Sequence, residues 1–317
     1  MPTVETVRGP VDTDDLGTTL MHEHVVILQQ EMFDNYGRAW GEPYWEEERG
    51  VADAIAKLRR AKEGGIDTIV DPTAPGLGRS IPRIQRLNEA VPDLNIIVCS
   101  GYYGFLELPS FLAYRSDDQI VDLFVREIRE GINDTGVRAG FLKAAVDKDG
   151  MIGDVPRILE TVARAQVETG VPLMVHTSAP TRGGLPVLER LLSHGVPADK
   201  IVIAHVGDSN DLDYIRALAQ QGVWLGCDRF QIEHFNPDAD RVRTLATLVA
   251  EGYAPQIQLG HDASCFYDFM QHNPPFAAER PDYLHIRDKI LPMLLDAGVT
   301  QEQIDTMLID NPRRFFS

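Results

Sequence analysis

Cysteine is scarce in this chain: three among 317 residues, Cys99, Cys227 and Cys265, far apart and odd in number. That argues against a disulfide framework and fits reduced thiols in a cytosolic protein. No apolar run approaches the ~20 residues of a membrane span. Residues 1–8 show no basic stretch followed by an apolar core, so no signal peptide is expected and the expected location is cytoplasmic. Positive charge is also short. With 30 Lys and Arg against 48 Asp and Glu the net charge is −18, which opposes nucleic acid and anionic membrane surfaces as partners, since both need a basic footprint. A neutral small molecule fits better. Three catalytic signatures are missing as well: a Gly-x-x-x-x-Gly-Lys phosphate loop, a Gly-x-Ser-x-Gly elbow and a His-Glu-x-x-His zinc helix.

What is present is an alternation. The composition, 44% hydrophobic and 25% charged, supplies ample core. Short apolar strands are expected at 66–71, 94–100, 137–146, 171–177, 200–206, 223–228 and 256–261, after a first strand ending near Thr19 to Val25. Helical spacing falls between them. Val51, Ala54, Ile55, Leu58 and Ala61 mark one helix, stopped by Gly64 and Gly65, and others are expected at 81–90, 117–130, 155–168, 185–194, 211–221 and 240–251. Two more helices, 284–296 and 301–309, close the chain. Eight strands alternating with helices predict an α/β fold, a (β/α)8 TIM barrel, and no linker divides it, so one domain over 1–317 is expected. The segment 28–50, with Phe33, Tyr36, Trp40, Tyr44 and Trp45, reads as an ordered active-site loop.

Chemistry in such barrels sits at the C-terminal ends of the strands. Those ends carry His22 and His24 in Met21-His22-Glu23-His24, Lys143 in Phe141-Leu142-Lys143-Ala144, His176, His205, and Asp262. In an extended segment residues two apart share a face, so His22 and His24 aim at one point, as two metal ligands should. Any one of these residues has a structural reading, a hydrogen-bonded core histidine for instance; six at the correct ends point to a metal centre. Lys143 is the most telling, because a lysine in an apolar strand is costly unless its charge is paired or removed. Either it pairs with Asp262 at the mouth, or CO2 converts it to a carbamate able to bridge two metals. His194, His234, His261, His272 and His285 read as surface or supporting residues, with His261 facing away from Asp262. Cys265 reads as a packed thiol.

This ordered set resembles the phosphotriesterase branch of the amidohydrolase superfamily, from Leu20-Met21-His22-Glu23-His24 to the closing Asn311-Pro312-Arg313-Arg314-Phe315. The resemblance implies two divalent metal ions: His22, His24 and Asp262 on one, His176 and His205 on the other, and carbamylated Lys143 between them. Zinc is the first expectation, while iron, cobalt or manganese also suit imidazole and carboxylate. Within that branch the chain is similar to the phosphotriesterase-like lactonases. Their tyrosine after strand three matches Tyr103, six residues before Pro109, and their arginine after strand seven matches Arg229. A tryptophan at the tyrosine position would point instead to a triesterase.

The similarity implies hydrolysis of lactones, N-acyl-homoserine lactones first among them, hence quorum quenching, with weak phosphotriesterase activity besides. The catalytic roles would fall to Asp262 as proton shuttle and to Tyr103 and Arg229 as positioning groups. Phe266, Tyr267, Phe269, Met270 and Phe276 would wall an acyl pocket or pack in a core or dimer interface; relatives of this kind are commonly homodimers. The rival readings are an organophosphate triesterase and, more remotely, a barrel that binds metal or a partner without turnover.

Overall fold

Eight short strands carry the architecture: β1 (Thr19–Leu20), β2 (Thr68–Asp71), β3 (Asn95–Gly101), β4 (Phe141–Val146), β5 (Leu173–Thr177), β6 (Ile201–Ala204), β7 (Trp224–Cys227) and β8 (Ile257–Leu259). The computed structural model describes residues 1–39, 44–104, 106–268 and 282–317. The strands lie parallel in sequence order, each beside its chain neighbour. The sheet then meets itself, because the Met21 N–H donates to the Leu259 carbonyl at 2.9 Å and joins the end of β1 to β8. This is the expected (β/α)8 barrel.

The strands are buried on both faces, which is why they read as apolar runs and not as alternations. One set of side chains, including Val70, Ile97, Phe141 and Met174, fills the barrel, and Phe315 and Phe316 from the last helix join it. The other set faces the helices. Helix formation follows local chemistry. Asp117–Arg129 opens on a capping box between Ser116 and Gln119, carries Asp117 and Asp118 in its first turn and Arg126 and Arg129 in its last, and buries Ile120, Phe124 and Ile128. The helix Val155–Thr169 stops at Gly170, whose φ of 76° suits glycine.

Several details depart from the sequence reading. A hairpin of Thr3–Thr6 with Gly9–Asp12 precedes β1, and a parallel ribbon pairs His24–Ile27 with Ser264–Tyr267. The expected strand 137–146 begins only at Phe141. At Gly140 a Cβ would lie 2.7 Å from Ile97 Cγ2 and 2.9 Å from the Glu5 carbonyl oxygen, so the chain threads tightly past that hairpin first. The segment 28–50 contains a helix, Gln30–Tyr36, and the Phe33 and Tyr44 rings pack at 5.5 Å; Trp40 lies outside the described residues. The C-terminal helices contain wide turns at Ile286–Ile290 and Thr306–Asp310, each leading into a helix with proline, Pro292 or Pro312, in its first turn. Proline has no N–H to donate back, which favours such a register change. Among the described residues no helix is long and apolar enough to cross a membrane.

One glycine ties the fold to the mouth. Gly101 ends β3 with φ +105°, and a Cβ there would sit 2.1 Å from the Lys143 carbonyl oxygen, a backbone atom that cannot swing aside. Gly101→Ala is expected to lower stability by about 2–3 kcal/mol, read as a lower thermal midpoint; an unchanged midpoint would show that the strand ends are loosely held.

Candidate metal centre

The barrel brings His22, His24, Lys143, His176, His205 and Asp262 to the same mouth. His22, His205 and Asp262 each offer a ligand atom, all within 4.8 Å of one another, and all three residues are buried. His24 Nε2 lies 3.1 Å and His22 Nε2 3.5 Å from the same oxygen, Asp262 Oδ1. On the other side His205 Nε2 faces His176 Nδ1 at 2.9 Å. His205 and Asp262 both stand in the left-handed region, with φ of 66° and 55°. For residues that carry a Cβ this is a strained conformation, and such strain gathers at functional sites.

Imidazole orientation is set from outside the cluster. Asp228, the first residue after β7, reaches His22 Nδ1 at 2.7 Å with Oδ2 and His205 Nδ1 at 2.9 Å with Oδ1. Oδ1 also accepts from the His205 backbone N–H at 2.8 Å. His24 Nδ1 pairs with the Thr73 hydroxyl at 2.7 Å, and Thr73 is itself bonded to Asp71. With the Nδ1 atoms engaged, the Nε2 lone pairs of all three rings turn toward the centre. His176 is turned the other way: its Nδ1 faces the cluster, while its Nε2 stands 3.7 Å from Asp147 Oδ1.

The electrostatics suit cation binding. Burial lowers the His22 imidazole to about 4, with Lys143 adding to the effect. Burial also lowers His176 and takes His205 well down. These rings are therefore neutral near pH 7, the state in which an imidazole can ligate a metal. Burial works to raise the Asp262 carboxyl, but His22 and Arg229 together hold it well below the ordinary carboxylate range. Asp228 is likewise held low, His205 and His22 outweighing its burial.

Lys143 tests whether a metal pair fits. Its side chain is fully buried, and Nζ has no hydrogen-bond partner among the described residues. The alternative in which it pairs with Asp262 is not what the structure shows, since Asp262 bonds Arg229 and faces the two histidines instead. Burial brings the amine down to about 8, so a neutral, nucleophilic fraction exists near neutral pH. Neutral imidazoles, an ionised carboxylate and an orphaned amine form a donor set that divalent cations would fit.

Around this centre Tyr103 places its hydroxyl 3.2 Å from His176 Nδ1 and packs against the barrel interior, whereas Tyr102 packs against the helix-facing core. Arg229 donates from Nε to Asp262 Oδ2 at 2.8 Å and from Nη1 to Asp208 at 2.9 Å. Tyr267 is close by: its hydroxyl donates to the Asp262 carbonyl at 3.3 Å and its ring sits 6.1 Å from that of His24. Phe266 lies on the other side of its strand, its ring tilted against that of Trp45 at 4.6 Å, and packs against the helix-facing core. Phe269, Met270 and Phe276 lie outside the described residues. Cys265 is a packed thiol, buried against the Tyr283 hydroxyl. Sequence reasoning missed the supporting acids Asp228, Asp208, Asp147 and Asp71. The one available signal was a carboxylate directly after a barrel strand, and Asp228 next to Arg229 has it.

A buried imidazole and carboxylate cluster with an unpaired lysine at the C-terminal mouth of a (β/α)8 barrel defines a metal-dependent hydrolase. Residues 2–316 match the Phosphotriesterase family, and the chain belongs to that family. It is 44% identical to the "Phosphotriesterase homology protein" of Mycobacterium tuberculosis, covering 100% of this chain and 98% of that one. It is 35% identical to the "Aryldialkylphosphatase" of Saccharolobus solfataricus, covering 98% of each. The solved phosphotriesterase structure from Mycobacterium tuberculosis superposes with a TM-score of 0.93, at 44% identity over 100% of this chain and 98% of that one.

Asp228 supplies a direct test. In Asp228→Asn one oxygen becomes an NH2, which cannot accept from an imidazole N–H. Metal affinity, measured by chelator competition, is expected to fall about 10- to 100-fold; unchanged affinity would show that His22 and His205 need no external orientation.

Proposed function

We propose that this protein hydrolyses the ester bond of lactones, with N-acyl-homoserine lactones as preferred substrates and phosphotriesters as weaker ones. The observation that carries the reading is the Tyr103 hydroxyl 3.2 Å from His176 Nδ1: the phenol that the resemblance to phosphotriesterase-like lactonases matches to their tyrosine faces the ligand cluster. The acidic chain, with its net charge of −18, also suits a neutral ester better than an anion.

In this reading His22, His24 and Asp262 would hold one divalent ion and His176 and His205 the other, and Lys143, once carbamylated, would supply a carboxylate ligand in place of its amine. The neutral amine adds to CO2 and loses a proton, and the resulting carboxylate takes the place of an orphaned donor. When bound, two such ions polarise the ester carbonyl and lower the pKa of water. The remaining work falls to the chain. Arg229 fixes Asp262 Oδ2 and leaves Oδ1 facing the histidines. From there Asp262 takes the proton of the attacking water and hands it to the ring oxygen as the C–O bond breaks, giving the open hydroxy acid. Burial raises the Tyr103 phenol, so it stays protonated and serves as a hydrogen-bond donor to the lactone. Arg229 stays cationic beside Asp208 and Asp262.

A second reading, organophosphate hydrolysis as the main activity, is favoured by the name of the relative from Saccharolobus solfataricus. The two are separated by kcat/KM of the metal-loaded protein for a long-chain N-acyl-homoserine lactone and for an aryl phosphotriester. The lactone is expected to lead by orders of magnitude, and Tyr103→Phe to lower the lactone value by about 100-fold while touching the phosphotriester less. A leading phosphotriester, or equal losses, would overturn the lactonase reading.

A further inference from the structure

Between the two histidines of the His-x-His segment stands Glu23, and its side chain turns away from them, as alternation requires. It is fully buried, and so is His261, with which it is paired. Glu23 Oε1 accepts from the His261 backbone N–H at 2.7 Å and from His261 Nδ1 at 2.6 Å. Oε2 accepts from the Ala263 N–H at 2.9 Å. His261 Nε2 in turn accepts from the Ile286 N–H at 2.9 Å. An imidazole that donates at Nδ1 and accepts at Nε2 is neutral, with its proton on Nδ1, so the carboxylate faces three donors and nothing else is needed to satisfy it.

The residues gripped are those on either side of Asp262. Asp262 sits at φ 55°, in the left-handed region, which is uncommon for a residue with a Cβ although Asp enters it more readily than most. The backbone adds two further ties, Asp262 N–H to the His22 carbonyl at 3.0 Å and His24 N–H to the Ala263 carbonyl at 2.7 Å. His22, Glu23 and His24 therefore point two ligands inward and one clamp outward, and the clamp closes on the turn that bears the third ligand. Among these contacts only the Glu23 side chain holds both flanks of Asp262.

We propose that Glu23 is a positioning residue for metal binding: acting through His261 and Ala263, it holds Asp262 in its strained conformation facing His22 and His24. The inference rests on the reading of Asp262 as a metal ligand and adds the device that places it.

The test is a cobalt titration of the chelator-treated full chain, followed by d–d absorption, beside the thermal midpoint of the protein without added metal. Asp262→Asn serves as reference. Glu23→Gln keeps the shape but sets an NH2 against a backbone or imidazole donor. It is expected to weaken cobalt binding at least tenfold, toward the Asp262→Asn value, and to alter the absorption band. If Glu23→Gln lowers only the thermal midpoint and leaves affinity and band as in wild type, its role is structural and the proposal falls. Should Glu23→Gln fail to fold, His261→Asn and His261→Leu decide. Asn keeps an N–H for Glu23 and should retain most of the affinity, whereas Leu should lose it tenfold; equal affinities overturn the proposal. If Asp262→Asn itself binds cobalt as wild type does, the ligand assignment fails first and Glu23 loses its role with it.

Discussion

A primary amine buried in a barrel, with no hydrogen-bond partner among the described residues, is the constraint around which the mouth of this protein is organised. Lys143 lies in β4 with apolar neighbours Leu142 and Ala144, and its side chain is fully buried. Burial disfavours the charged ammonium there relative to water, and the amine comes down to about 8. Lowered imidazoles on His22, His176 and His205 complete a site rich in lone pairs and poor in protons. Such a donor set suits divalent cations.

The fold supplies that cluster by distributing its parts over five strands, β1, β4, β5, β6 and β8, and then tying them together. Asp228 from the end of β7 joins His22 and His205, two residues 183 positions apart in the chain. Glu23 joins the His-x-His segment to the Asp262 turn, and Arg229 links Asp262 to Asp208, which meets Arg241 at 2.8 Å. The ties of Asp228 to His22 and of Glu23 to the Asp262 turn join segments from opposite ends of the chain, so the ligand geometry is a property of the closed sheet.

How much of this could be read beforehand depends on the kind of signal. The barrel strands were legible because burial on both faces makes each an apolar run between helical patterns, and the ligands were legible because barrel chemistry gathers at strand ends. The ribbon of His24–Ile27 with Ser264–Tyr267 was not, since it pairs segments some 240 residues apart and neither announces its partner. Nor were Asp228, Asp208 and Asp147, because a single carboxylate after a strand looks like any loop acid until its histidine or arginine is placed beside it. Glu23 was in plain view between two expected ligands. Its function became readable only through His261 and Ala263, which the fold brings back from the far end of the chain.

The most direct test of the central claim is a carbon-13 NMR spectrum of the chain reconstituted with zinc and 13C-labelled bicarbonate, with metal content measured on the same sample. The account predicts one labelled carbamate and two zinc ions per chain, both lost in Lys143→Ala. A wild-type chain that takes up two zinc ions with no labelled carbamate, or a Lys143→Ala chain that binds zinc as tightly as wild type, would contradict it.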